Sequence, residues 1–173
     1  MPKFKNLTDI ETIYRKSVKT IVLKVKRPYV RSPYLELETV SNPVDVYQVL
    51  QAIFAGLDED QEHLILLVLN FMGEITGYKL VSSGGQDRAI IDTKVLFRNA
   101  LLLGASKIIL AHNHPSGRID PSKEDLSVTA KVVEAGSTLD IEVLDHIIYA
   151  SQGFTSIRQL VPEIFTLEEA SGS

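Results

Sequence analysis

The chain has 173 residues, 45% of them hydrophobic and 23% charged, which suits one ordinary globular domain with a sizeable core and leaves little room for two. With no cysteine, disulfides, thiolate metal sites and a cysteine nucleophile are excluded. The net charge of −4 hides an asymmetry: Met1 to Arg31 carries nine Lys or Arg against two acids, +7, and the remainder carries −11.

That basic arm has two readings. Its cations can contact phosphates, or they can flank an edge strand, where lysine discourages sheet-to-sheet association. Thr20 to Lys26 alternates and is rich in β-formers, so it is expected to be a strand; a loop with Pro28, Ser32 and Pro33 follows, then a second strand through Leu35 to Leu37. Met1 to Thr39 as a whole reads as a short helical arm and strands. Asn42 before Pro43 starts a helix whose apolar stripe is Val44, Val46, Val49, Leu50 and Ile53, ended by Gly56.

His63 to Asn70 is nearly continuous aliphatic sequence, the pattern of a strand buried on both faces. Gly73 marks a turn, Ile75 to Ser82 pairs back, and Gly84-Gly85 break that strand. Asp92 caps a helix from Thr93 to about Leu103, with Val95, Leu96, Ala100 and Leu103 inward and Gly104 as its stop. Lys107 to Ala111 is a short buried strand running into His112. After a polar turn from Pro115 to Pro121, a helix runs from Ser122 to about Ala135 and closes at Gly136; Ile141 to Ala150 is the last strand. Alternating strands and helices imply an α/β domain with a mixed sheet. The expected organisation is an arm over 1–38, a domain over 39–165 and a tail over 166–173. No apolar run approaches the roughly 18–20 residues that span a bilayer, and no signal-like segment opens the sequence, so a cytoplasmic protein with no membrane partner is expected.

The segment from His112 to Asp125 carries the chemistry. Histidines at i and i+2 on an extended chain point to one side, and imidazole suits Zn²⁺, which takes three protein ligands and leaves a fourth position for water. Asp125 can supply the third ligand. Ser122-x-x-Asp125 is equally a helix-capping pair, and an H-x-H by itself is weak. Two of the chain's four histidines, a carboxylate and a hydroxyl within fourteen residues are stronger together, and cap and ligand roles are compatible. Asp145-His146 reads either as a carboxylate–histidine pair supporting a metal site or as two residues on opposite faces of a strand. His63 is expected to face away from Glu62, Asn113 and Ser116 to shape the loop through local bonds, and Ser83-Gly-Gly85 to line a cleft.

The spacing H-x-H, seven residues, S-x-x-D fits His112, His114, Ser122 and Asp125 without a gap, and it is the JAMM metalloprotease motif. His-Asn-His-Pro-Ser-Gly, then Pro-Ser-Lys-Glu-Asp, then Leu144-Asp-His-Ile-Ile148 resemble the bacterial RadC family over roughly Val40 to Ala150. The resemblance implies a cytidine-deaminase-like or MPN-type mixed sheet flanked by helices, with Zn²⁺ held by His112, His114 and Asp125. It also implies a glutamate general base, carried over to Glu62 at the head of Glu-His-Leu-Ile-Leu-Leu-Val-Leu, with Glu59 and Glu74 as the other candidates, and Ser122 as oxyanion donor. The implied reaction is hydrolysis of an amide or isopeptide bond in a peptide or protein. Longer RadC proteins carry a helix-hairpin-helix region that nothing here matches. A DNA-associated or nuclease role and a non-catalytic interaction module are the alternatives; oligomeric state is left open.

Overall fold

A computed structural model describes residues 8–15, 18–25, 40–84 and 91–166. The side chains of the basic arm, the strand expected at Leu35 to Leu37, Gly85 and the C-terminal tail lie outside the described residues. Thr8–Arg15 (β1) and Val18–Val25 (β2) pair antiparallel as a two-stranded ribbon of their own. The β2 strand stands where alternation placed it. β1 corrects the expected helical arm: Thr8, Ile10, Thr12, Ile13 and Tyr14 are β-branched or aromatic strand formers.

The domain is built on a five-stranded mixed sheet in the order β4-β3-β5-β6-β7, flanked by helices. Its strands are Glu62–Leu69 (β3), Ile75–Gly84 (β4), Lys107–Asn113 (β5), Glu142–Ala150 (β6) and Gly153–Ser156 (β7). β5 and β6 are parallel and the other neighbours antiparallel. Parallel neighbours need a crossover, supplied by Lys123–Thr138 (α3). The other long helices are Pro43–Phe54 (α1) and Thr93–Leu102 (α2); Ile157–Leu160 (α4) is a single turn. No helix among the described residues is long and apolar enough to cross a membrane.

The unbroken aliphatic run of β3 reflects its place between two helical layers. Leu64, Leu66 and Val68 join Ile108, Leu110 and the inner faces of α2 and α3. Ile65, Leu67 and Leu69 join Ile109, Ala111, Ile147 and α1. Burying each such side chain contributes about 1.5–3 kcal/mol. The caps stand where the sequence put them: Asn42 accepts from Val44 and Asp45, and Asp92 from Lys94 and Val95. Two details differ. Val44 is exposed on the first turn of α1, and in α2 Phe97 is buried while Val95 and Leu103 are half-buried.

The larger correction concerns α3, which runs past Gly136 to Thr138. Gly136 is a close approach and not a stop: a Cβ there would lie 2.5 Å from the backbone oxygen of Ile141 and 2.9 Å from Val143 Cγ2. Gly136→Ala is therefore expected to destabilise by about 1–3 kcal/mol in denaturant unfolding, because overpacking outweighs the gain in helix propensity. A neutral or stabilising result would contradict this packing.

Candidate metal centre

β5 ends at the buried His112 and Asn113, and the chain turns back through an exposed loop into α3. Gly117, at φ +69°, adopts the left-handed conformation the turn requires, and its N–H donates to the His114 carbonyl at 2.8 Å. The fold-back delivers the Arg118 carbonyl to His114 Nδ1 at 2.9 Å. A carbonyl only accepts, so Nδ1 of His114 carries a proton, and in the neutral ring Nε2 is the lone pair. The alternation of an extended chain puts the two imidazoles on one side, with His112 Nε2 and His114 Nε2 2.9 Å apart.

Asp125 reaches the same point from the first turn of α3. Ser122 and Asp125 form a reciprocal capping box: Ser122 Oγ accepts from the Asp125 N–H at 3.1 Å, and Asp125 Oδ2 accepts from the Ser122 N–H at 2.7 Å. Oδ1 lies 3.3 Å from His112 Nε2, and Oδ2 lies 3.5 Å from His114 Nε2. Cap and cluster thus share one carboxylate. One ligand atom from each of His112, His114 and Asp125 falls within 4.8 Å of the others.

The electrostatics follow from this crowding. Burial pushes His112 down to about 4, against the pull of Asp125. His114 is raised, first by its bond to Asp125. Burial lifts the Asp125 carboxyl, but His114, His112 and the two Ser122 contacts outweigh it and hold the group well below the usual carboxylate range.

Glu62 opens β3. In the antiparallel β3–β5 ladder Leu64 faces His112, so two residues further along Glu62 comes opposite His114 on the same side of the sheet. It is half-buried; burial raises its carboxyl first, with His114 lowering it and Asp125 raising it, so it shares the field of the cluster. Glu74 sits at the β3–β4 turn, bonded to Asn70, about 25 Å away along the strand. Glu59 is exposed on the loop before β3 and acts on Tyr149. Of the three candidate glutamates, Glu62 is the one that shares the electrostatic field of His114 and Asp125, while Glu59 borders the cleft beside His114.

His63 faces away, its Nε2 2.7 Å from the Asp58 carbonyl. Asn113 departs from the local bonding expected of it: its Oδ1 accepts from the His63 N–H and its Nδ2 donates to the Gln61 carbonyl, both at 2.9 Å, clamping the end of β5 to the start of β3. Asp145 and His146 do lie on opposite faces. Asp145 accepts from Ser156 Oγ and from the backbone of His146 and Arg158. His146, wholly buried, reaches His112 Nδ1 with its Nε2 at 2.8 Å and Thr129 Oγ1 with its Nδ1 at 2.7 Å. Thr129 was invisible to sequence reasoning, because a threonine inside a helix has no spacing signature. Beside the histidine loop opens a cleft of about 340 Å³ walled by Leu57, Glu59, His114, Ser116, Tyr149 and Gln152. The side chains of Ser83-Gly-Gly85, expected to line a cleft, lie outside the described residues.

Comparison with known proteins matches residues 40–161 to the RadC-like JAB domain. The UPF0758 protein of Rubrobacter xylanophilus is 38% identical over 120 residues, 69% of this chain and 52% of that protein. A Symbiobacterium thermophilum UPF0758 protein is 38% identical over 118 residues, 68% and 50% of the two chains. The Staphylococcus haemolyticus protein of that name is 32% identical over 161 residues, 90% and 69%. The chain spans about half the length of the first two of these relatives.

Proposed function

The chain belongs to the RadC-like JAB domain family, and from that membership and the geometry of its histidine cluster we propose a zinc-dependent hydrolase that cleaves an amide bond, as a peptidase or isopeptidase. The observation that carries the reading is the meeting of His112, His114 and Asp125 at one point, with Glu62 across the strand pair.

The donor set fits a cation. His114 Nδ1 is occupied by a carbonyl and His112 Nδ1 by His146, so both Nε2 atoms turn inward beside a carboxylate. Acceptors so placed repel one another unless a proton or a metal lies between them. His112 Nε2 lies 2.9 Å from His114 Nε2 and 3.3 Å from Asp125 Oδ1, close to the edge of about 3.3 Å expected for tetrahedral zinc with ligands near 2.0–2.1 Å. Two imidazoles and one carboxylate are also a ligand set suited to catalytic zinc.

Bound zinc would supply Lewis acidity, lowering the pKa of a water toward about 7 and polarising a substrate carbonyl. Glu62 takes the proton of the attacking water and returns it to the departing amine, so that water and amide become carboxylic acid and amine. Ser122 uses its Oγ lone pair for the cap, which leaves its O–H to donate to the oxyanion. The cleft beside His114 receives the polypeptide flanking the scissile bond. We place this activity in the cytoplasm, in keeping with the cysteine-free composition.

The direct test is to incubate the zinc-loaded chain with a diverse peptide mixture and follow cleavage by mass spectrometry, with and without a chelator. Cleavage abolished by the chelator and restored by Zn²⁺ is expected; cleavage indifferent to the chelator would overturn the reading. Ser122→Ala separates its two roles. Loss of the cap is expected to cost about 1 kcal/mol of stability, and loss of the donor about 10²–10³-fold in turnover. A stability loss with full turnover would leave Ser122 a cap only.

A further inference from the structure

We infer that Thr129 and His146 form a buried proton-ordering chain that starts on the Asp125 backbone carbonyl and ends by baring the Nε2 lone pair of His112 toward the ligand cluster. Both are then positioning residues. The ordering is a property of the protein alone; its purpose rests on the zinc reading above.

The argument is a count of protons. Thr129 Oγ1 lies 2.5 Å from the Asp125 carbonyl oxygen, one turn back in α3, and 2.7 Å from His146 Nδ1. Each contact is short enough to require a hydrogen between the heavy atoms. The carbonyl has none to give and the threonine hydroxyl has one. The hydroxyl therefore donates to the carbonyl, and His146 Nδ1–H supplies the other. His146 is wholly buried, and its ring hydrogen-bonds only Thr129 and His112 among the described residues. A ring so enclosed is neutral, because an imidazolium there would be a charge taken out of water without a paired carboxylate in contact. Its single N–H is spent on Thr129, so its Nε2 is a lone pair. The 2.8 Å contact to His112 then needs its hydrogen from His112 Nδ1. In the neutral His112 ring that leaves Nε2 bare, 2.9 Å from His114 Nε2 and 3.3 Å from Asp125 Oδ1.

Asp125 thus acts from both ends. Its carboxylate joins the ligand cluster, and its carbonyl, through two buried side chains, dictates which nitrogen of His112 faces that cluster. The Arg118 carbonyl does the same for His114 directly. His114 sits on a half-exposed loop within reach of a carbonyl, whereas His112 ends a buried strand. A buried partner is therefore needed to orient it, in the way outer-shell groups orient metal-bound histidines.

The experiment has two arms. In the first, the metal-free protein labelled with ¹⁵N-histidine is examined by long-range nitrogen–proton correlation, which reports the protonated nitrogen of each ring. His112 and His146 are both expected as Nδ1–H; a proton on Nε2 of either would overturn the proposal. In the second, Zn²⁺ affinity is measured by competition with a chromophoric chelator. Thr129→Val keeps the shape but removes the hydroxyl and should weaken binding about 10–100-fold, with Thr129→Ser restoring it. Wild-type affinity in Thr129→Val would also overturn it. If Thr129→Val fails to fold, the wild-type tautomers still decide. Absence of zinc binding by the wild-type protein would sink the hydrolase reading while leaving the ordering to the first arm.

Discussion

Glu62→Gln should bind zinc like the unaltered protein and lose roughly 10²–10⁴-fold in hydrolysis, the usual contribution of a positioned acid–base group. The amide keeps the size and shape of the carboxylate, so β3 and its ladder with β5 are undisturbed. What disappears is the ability to accept a proton. Glu62 suits the task because it starts a strand instead of sitting in a flexible loop: the buried run behind it, Leu64 to Leu69, anchors its backbone, and the Leu64–His112 register fixes its distance from the histidines. Metal analysis and turnover, measured on the same preparation, distinguish the roles. A metal-free Glu62→Gln protein would make Glu62 a ligand or a structural residue, and undiminished turnover would remove it from the chemistry.

The second large effect is expected on metal content. His114→Ala should abolish stoichiometric zinc, since a ligand lost from a three-residue set costs more than the roughly 10–100-fold lost with an outer-shell partner. His114 is a better target than His112, because its side chain is partly exposed whereas His112 is buried beneath the sheet end and would leave a cavity. The apo fold should tolerate the change, for it also relieves the facing of two imidazole nitrogens at 2.9 Å. Thermal unfolding across a zinc titration adds an independent readout. The unaltered protein should gain about 2.7 kcal/mol when free zinc is 100 times the dissociation constant, and His114→Ala should gain nothing. Equal metal in both proteins would reject the ligand assignment.

Much of this arrangement was legible in the sequence because its physics is local. The H-x-H spacing forces two side chains to one side of an extended chain, and a Ser-x-x-Asp at a helix start fixes a carboxylate on its first turn. Asn42, Asp92 and Ser122 all cap the helices they precede, and the uninterrupted aliphatic run of β3 announced its central place. What escaped is long-range. Gly136 looked like a stop because glycine commonly ends helices, and only the return of β6 past α3 shows why nothing larger fits. Asn113 bonds residues 50 and 52 positions away, a pairing set by strand register. Thr129 and His146, 17 residues apart, meet only because the β5–α3–β6 crossover lays the helix against the strand. The nearness of Glu62 to the cluster likewise needed the β3–β5 ladder, since Glu59, Glu62 and Glu74 look alike on paper.

The most direct test of the metal centre is diffraction from zinc-loaded crystals at energies on either side of the zinc absorption edge. A single anomalous peak per chain is expected, bonded to His112 Nε2 and His114 Nε2 at about 2.0–2.1 Å and to an Asp125 carboxylate oxygen at about 2.0–2.2 Å. The carboxylate of Glu62 should face the remaining position without bonding the ion. A loaded crystal with no peak between these three side chains, or with the ion held elsewhere, would contradict the account.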